Sequence, residues 1–281
     1  MKNIIACIDG SQSTISTCEG SAWVAKKLAA PLILFHALDK TTRPVASEFS
    51  GQIGLGSQEE LLEELAELDE TRSKIMLKHS HKMLESAYEW ACRDGVNDVS
   101  KLQRHGSLIE SLSDLTSELR VLIIGKSGEH HNTENTIGSQ LESVIRAVHE
   151  HIFVVTDHFT APTSYMIAFD GSPISQKLIE KASQTALLKD LPCHLTTIDE
   201  SGNKSVAFEQ AKQQLQNAGV EVTAAKLNGP VDEALLHYQQ QHQIGLIVMG
   251  AYGHSKLRQY FVGSNTTQVL ANSTVPLLLI R

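Results

Sequence analysis

The sequence has only four cysteines, and their spacing excludes a protein stapled by disulfides. They form neither a C-x-x-C pair nor a disulfide framework. Cys7 and Cys193 lie in apolar runs, where we expect buried free thiols. The chain must therefore be held by apolar packing. Its 281 residues, 41% of them hydrophobic, suffice for one large or two ordinary domains.

Long hydrophobic runs and positive charge are also scarce. No apolar run reaches the roughly 18 residues that suggest a membrane helix, and the start Met1 to Ile5 has no signal-peptide pattern. We therefore expect a cytoplasmic protein without a membrane partner. The net charge of −8 argues against nucleic acid as a partner. It still permits a phosphate ligand held by main-chain amides.

Common catalytic and metal motifs are missing as well. The run Gly125-Lys126-Ser127 would complete a Walker A motif only with glycine at position 120, which is Arg120. The pairs His130-His131 and His79-Ser80-His81 lack ligand partners at diagnostic spacing, so we expect surface histidines and no metal. No sequence motif identifies a catalytic base or nucleophile.

A glycine pattern does occur, and it occurs twice. Gly250 and Gly253 are followed after nine residues by Gly263-Ser264, and Gly125, Gly128 and Gly138-Ser139 repeat that spacing. Each copy follows a short apolar run and precedes a helical pattern, which predicts strand, loop and helix. Such glycines let main-chain N–H groups approach a ligand, and the helix start favours an anion.

The repeat extends to whole domains. An Asp-Gly-Ser turn follows the first strand of each copy, at Asp9 and Asp170, and each copy reads β-α-β-α-β-α-β-α-β. We place the domains at residues 1–158 and 164–281. The first copy is longer, because it contains a predicted loop over 41–57 and a helix over 58–93. We expect the apolar stripe of that helix to be core.

Both halves resemble the universal stress protein domain, which carries G-x2-G-x9-G-[S/T] between its fourth strand and helix. The resemblance implies an α/β fold: two tandem open parallel five-stranded sheets with helices on both faces, Rossmann-like and adenine nucleotide alpha hydrolase-like. Members of the family pair through their last strands. The resemblance therefore implies an internal pseudo-dimer of the two halves, and a further homodimer stays open.

The resemblance also implies adenine-nucleotide binding, with ATP or AMP as the ligand, accompanied or not by Mg²⁺. The residues it assigns to the nucleotide are Asp170, Thr197, Gly250, Gly253, Gly263, Ser264 and Asn265 in the second half, and Asp9, Ala37, Gly125, Gly128, Gly138, Ser139 and Gln140 in the first. Ala37 and Thr197 are taken as one equivalent position of the second strand.

Each assignment has a structural alternative. The aspartates suit an Asx turn, and Ser139-x-x-Glu142 is a capping box that competes with ligand binding in the first half. Local charge favours the second half, whose loop carries Lys256 and Arg258 without an acid. We expect a nucleotide-binding stress or regulatory protein rather than an enzyme. The rival hypotheses are a scaffold that binds no nucleotide and a slow ATP hydrolase or adenylyl-transferring protein.

Overall fold

The structure is a computed structural model, which describes residues 2–38, 55–128, 139–198, 203–250 and 264–281. Within them the first half contains β1 Asn3–Cys7, α1 Thr14–Leu28, β2 Leu32–Leu38, α2 Leu55–Arg93, β3 Val99–His105, α3 Leu108–Asp114, β4 Leu119–Gly125, α4 Ser139–Ala147 and β5 His151–Val155. The second contains β6 Tyr165–Phe169, α5 Pro173–Gln184, β7 Cys193–Ile198, α6 Asn203–Asn217, β8 Val222–Leu227, α7 Val231–Gln241, β9 Ile247–Gly250, α8 Ser264–Asn272 and β10 Leu277–Ile280. No helix in these ranges is long and apolar enough to cross a membrane.

The described strands form one sheet in the order β3-β2-β1-β4-β5-β10-β9-β6-β7-β8. Pairing is parallel within each half, and β5 pairs with β10 antiparallel at the centre. The predicted α/β fold of two parallel five-stranded units is confirmed. The central pairing joins the halves into one sheet, as an internal pseudo-dimer requires.

Two apolar layers cover the sheet, one on each face. Side chains of α1, α2, α5 and α6 pack in one layer, and those of α3, α4, α7 and α8 pack in the other. Each layer runs through both halves because the central strands belong to both. Phe153 of β5 and Leu278 of β10, for example, are almost fully buried in the first layer. Alternate inner-strand residues face opposite layers, which explains their nearly continuous hydrophobic sequences.

The long helix α2 departs from the expectation that its apolar stripe is core. Its C-terminal part packs against the sheet through Leu84, Ala87 and Ala91. Leu68 and Ile75 instead have 65% and 63% of their surface exposed. The periodicity correctly predicted a helix, but the sheet is too short to cover all 39 of its residues. The predicted loop lies largely outside the described residues, and its last three residues are helical.

His151 ties the two halves together where β5 begins beside β10. The main-chain N–H of Arg281 donates to its Nδ1 at 3.4 Å, and the Lys181 ammonium nitrogen lies 3.3 Å from its Nε2. Burial and the nearby Lys181 charge lower the pKa of His151 from 6.5 to about 4. The contact with Arg281 requires an unprotonated Nδ1, and the Lys181 charge disfavours a second positive charge on the ring. Both neighbours therefore favour the neutral imidazole.

We predict that stability falls as the pH drops from 6.5 to about 4, because unfolded His151 takes up a proton there that folded His151 does not. Because glutamine does not titrate, the decrease in the free energy of unfolding over this pH range should be about 1–3 kcal/mol smaller in the His151→Gln variant, allowing for partial solvent screening. Urea denaturation of both proteins across this pH range measures the difference. Parallel curves would show that His151 titrates equally in the folded and unfolded states.

Candidate functional site

Each half contains one point where the strand order reverses. The chain runs outward from β1 to β3, returns to β4 beside β1, and repeats this route from β6 to β9. The helices after β1 and β6 pack on one face of the sheet, and those after β4 and β9 pack on the other. Open parallel sheets bind ligands in the crevice that this divergence leaves beyond the carboxyl ends of the strands. Because β5 and β10 are antiparallel, the strands of the two halves run in opposite directions. The two crevices therefore lie at opposite ends of the strands.

In the first half, the turn after β1 and the loop after β4 meet across the crevice. A Cβ added to Gly128 would lie 3.8 Å from Oδ2 of Asp9. The Ser11 hydroxyl donates to the carbonyl of Ser127 at 3.4 Å. The structure thus brings together two predicted site residues that are more than a hundred positions apart in sequence.

The aspartates form the turns that the alternative interpretation predicted. Oδ1 of Asp9 accepts from the main-chain N–H of Ser11 at 3.0 Å, and Oδ1 of Asp170 accepts from that of Ser172 at 2.9 Å. The intervening glycine has φ of +80° in the first half and +76° in the second, a conformation that favours glycine. The turn uses one oxygen of Asp9 and directs the other towards Gly128. Asx turn and ligand contact are therefore compatible.

The first glycine of each motif has a packing role. A Cβ on Gly125 would lie 2.8 Å from Cβ of Ser13, and a Cβ on Gly250 would lie 2.7 Å from Cγ2 of Ile174. Ser13 and Ile174 occupy equivalent places at the starts of α1 and α5. Glycine is required in both halves, whether or not a ligand binds, because the helix after β1 or β6 starts against the end of β4 or β9.

The predicted equivalence of Ala37 and Thr197 is wrong by one residue. Cys7 pairs with Phe35, whereas Phe169 pairs with Thr197. Continuing each register places Ala37 level with Asp9, while Thr197 lies one step before the level of Asp170. The second-half counterpart of Ala37 is Ile198, and both pack against the same apolar layer. The error arose because the two second strands lack a shared marker residue in the sequence.

Both predicted serines begin helices, at Ser139 of α4 and Ser264 of α8. Ser264 and Asn265 are exposed, as is Gln140 of α4. The first turn of α4 carries Glu142, which pairs with Arg146, while the first turn of α8 has no acid. A helix start attracts anions, and the first turn of α8 carries no acid that would oppose this attraction. Gly138, Gly253 and Gly263 lie outside the described residues.

Lys126 makes a contact that the sequence did not reveal. Its ammonium group donates to the carbonyl of Ser273, at the C-terminal end of α8 in the other half, at 3.1 Å. Burial lowers the Lys126 pKa, and the nearby Asp157 carboxylate partly opposes that change. Asp157 also accepts from the hydroxyl of Ser13 at 2.8 Å. The positive charge of Lys126 is thus directed at the junction between the halves.

We predict that Gly250→Ala lowers the free energy of unfolding by about 1–3 kcal/mol without any ligand present, because the new Cβ overlaps Ile174. Ile174→Ala removes the overlapping methyl, so the double variant should be more stable than the sum of the single effects implies. Urea denaturation of the four proteins in this cycle measures the coupling. Strict additivity would contradict the packing role.

Comparisons with known proteins agree with this architecture. The chain matches the universal stress protein family over residues 1–156 and 164–281. It is 33% identical over 287 residues to a universal stress protein of Synechocystis sp., with both chains covered completely. A universal stress protein structure from Archaeoglobus fulgidus has a TM-score of 0.75 at 15% identity, covering 99% of this chain and 98% of that one.

A protein structure from Pseudomonas aeruginosa has a TM-score of 0.63 at 14% identity, covering 100% of this chain and 92% of that one. At these identities the two structures support the fold alone, while the family match and the Synechocystis relative define the family. The chain therefore belongs to the universal stress protein family and carries two of its domains in tandem.

Proposed function

We propose that this stress protein binds an adenine nucleotide, ATP or AMP, at the crevices where the strand order reverses. The observation that carries the proposal is the meeting of Asp9 with Gly128, which places an acceptor opposite a loop built to expose N–H groups. A carboxylate in this place can accept from ribose or base, and the loop with its helix start can hold phosphate. The same Asp and Gly positions recur around β6 and β9.

We assign the two sites to residues 1–158 and 164–281, each domain using its own members of the predicted set. The first-half site uses Asp9, Ala37, Gly125, Gly128, Gly138, Ser139 and Gln140. The second-half site uses Asp170, Thr197, Gly250, Gly253, Gly263, Ser264 and Asn265, where Thr197 precedes Ile198, the counterpart of Ala37. Mg²⁺ would accompany ATP through its phosphates rather than through a dedicated protein site.

The second half is the better site for three reasons. Asp170 is exposed, whereas Asp9 is half-buried. In the first half α2 lies over the turn, with Sδ of Met83 only 3.1 Å from the place of a Cβ on Gly10. In addition, the Lys126 ammonium is engaged with the other half, while the second loop contributes Lys256 and Arg258 from the sequence.

The scaffold hypothesis has support in the first half. Its loop residue Lys126 stabilises the junction between the halves through Ser273, a role that needs no ligand. The first crevice can therefore serve structure while the second serves binding. Turnover of the nucleotide is a separate question, and release of phosphate above a buffer control would establish a hydrolase.

We predict that millimolar ATP or AMP raises the melting temperature, by the equivalent of about 2.7 kcal/mol if its concentration is 100 times Kd. Asp170→Asn keeps an oxygen for the Ser172 turn but removes the carboxylate. It should raise the Kd tenfold or more, the effect of losing a hydrogen bond to a charged group. Asp9→Asn should keep most of the shift. Differential scanning fluorimetry, with each variant compared to its own ligand-free state, measures this.

The control is Asp98→Asn, an exposed aspartate just before β3, which is the strand farthest from β9 and β6 in the sheet. It should respond to nucleotide as the wild type does. Loss of the shift in Asp9→Asn alone would move the site to the first half. An unchanged wild-type melting curve, with no nucleotide detected by mass spectrometry in denatured protein, would support the scaffold instead.

A further inference from the structure

One stretch of α2 stands away from the rest of the molecule. The helix has 39 residues, about 58 Å at 1.5 Å per residue. Every residue from Ala66 to His79 is exposed, and burial resumes at Ser80. The residues 64–82, which we call the free segment, therefore consist mainly of helix that makes few contacts with the sheet below.

The free segment carries large apolar side chains that a solvated helix does not need. Leu68 and Ile75 are 65% and 63% exposed, and Met76 and Leu77 are each 37% exposed. Residues seven apart lie on one face of a helix, so Leu68 and Ile75 form a stripe about two turns long, with Met76 beside it. Clustered exposed aliphatic side chains of this kind mark an interaction surface.

The charges of the free segment are sorted along its length. Its first seven residues contain the acids Glu64, Glu67, Asp69 and Glu70 and no base. Its remaining twelve contain the bases Arg72, Lys74, Lys78 and Lys82 and no acid. The pairing of Lys74 with Glu70 at 2.7 Å uses only neighbours at the boundary between the two blocks.

The separation of acidic and basic residues along the free segment determines which kind of partner fits it. Two copies of the helix packed in parallel would oppose acid to acid and base to base. Packed antiparallel, they would oppose each acidic block to a basic block, at both ends of the contact. A membrane surface would select a consistently basic polar face, which the acidic block contradicts.

We propose that a second copy of this chain covers the free segment, with the two α2 helices antiparallel about a two-fold axis near Thr71. Leu68 of one copy then packs against Ile75 of the other, and the same contact recurs by symmetry. The resulting dimer is an addition to the internal β5–β10 pairing, and it does not require a bound nucleotide. It leaves both crevices on their own chains.

The experiment uses two charge variants of the full-length chain. The basic variant combines Glu64→Lys, Glu67→Lys, Asp69→Lys and Glu70→Lys. The acidic variant combines Arg72→Glu, Lys74→Glu, Lys78→Glu and Lys82→Glu. Sedimentation velocity at micromolar concentrations in low salt should show a dimer for the wild type and a monomer for each variant alone. An equimolar mixture should form the dimer again, because the all-basic free segment then meets an all-acidic one.

The recovery on mixing separates a lost interface from a variant that fails to fold. Leu68→Asp combined with Ile75→Asp should raise the dimer dissociation constant at least tenfold. The matched control is Val206→Asp on α6, which changes a residue of similar exposure, 61%, and should leave the dimer intact. High salt should weaken the wild-type dimer, since the Debye length shrinks from about 10 Å at 0.1 M to about 3 Å at 1 M.

Three results would overturn the proposal. A wild-type chain that stays monomeric throughout the micromolar range would mean that the occupant is not a second copy. A dimer unaffected by Leu68→Asp and Ile75→Asp would use another face. Charge variants that fold, as judged by circular dichroism, yet stay monomeric when mixed would exclude the antiparallel arrangement.

Discussion

The antiparallel pairing of β5 with β10 is the constraint on which the rest of this structure depends. A five-stranded parallel sheet leaves its last strand with unpaired N–H and C=O groups, and β5 and β10 are both strongly apolar. Pairing the two strands satisfies those groups, and residues such as Phe153 and Leu278 are almost fully buried where the halves meet. The strands left at the outer edges are β3 and β8, whose side chains are largely half-exposed or exposed.

The same pairing determines where the two candidate sites lie. Because the strands of the two halves run in opposite directions, the carboxyl ends of one half's strands lie on the same side of the sheet as the amino ends of the other's. Lys126, just after β4, can therefore reach Ser273, shortly before β10. The loop after β4 is thus next to the C-terminal end of α8. This arrangement distinguishes the two halves despite their shared motif, because the ammonium group of Lys126 in the first half contacts the junction.

Secondary structure could be predicted largely from sequence. Buried parallel strands need continuous apolar runs, and the helices between them need one apolar face, so both leave clear patterns. In the first half, the glycine spacing and the Asp-Gly-Ser turn likewise pointed to two segments that lie close together, at Gly128 and Asp9. The patterns failed for Ala37 and Thr197, because register depends on pairing with a neighbouring strand and not on the strand's own residues. They also failed for Leu68 and Ile75, because periodicity shows that a helix has an apolar face and does not show what covers it.

The sequence by itself determined the fold class, the duplication and the chemical character of the two glycine motifs, since these depend on local residue types and spacing. Only the tertiary structure decided that the first glycine of each motif accommodates a helix start, at Ser13 and Ile174. It also decided that Lys126 binds the opposite half, and that part of α2 projects beyond the sheet. These outcomes depend on distances between residues far apart in the chain, which no local pattern contains.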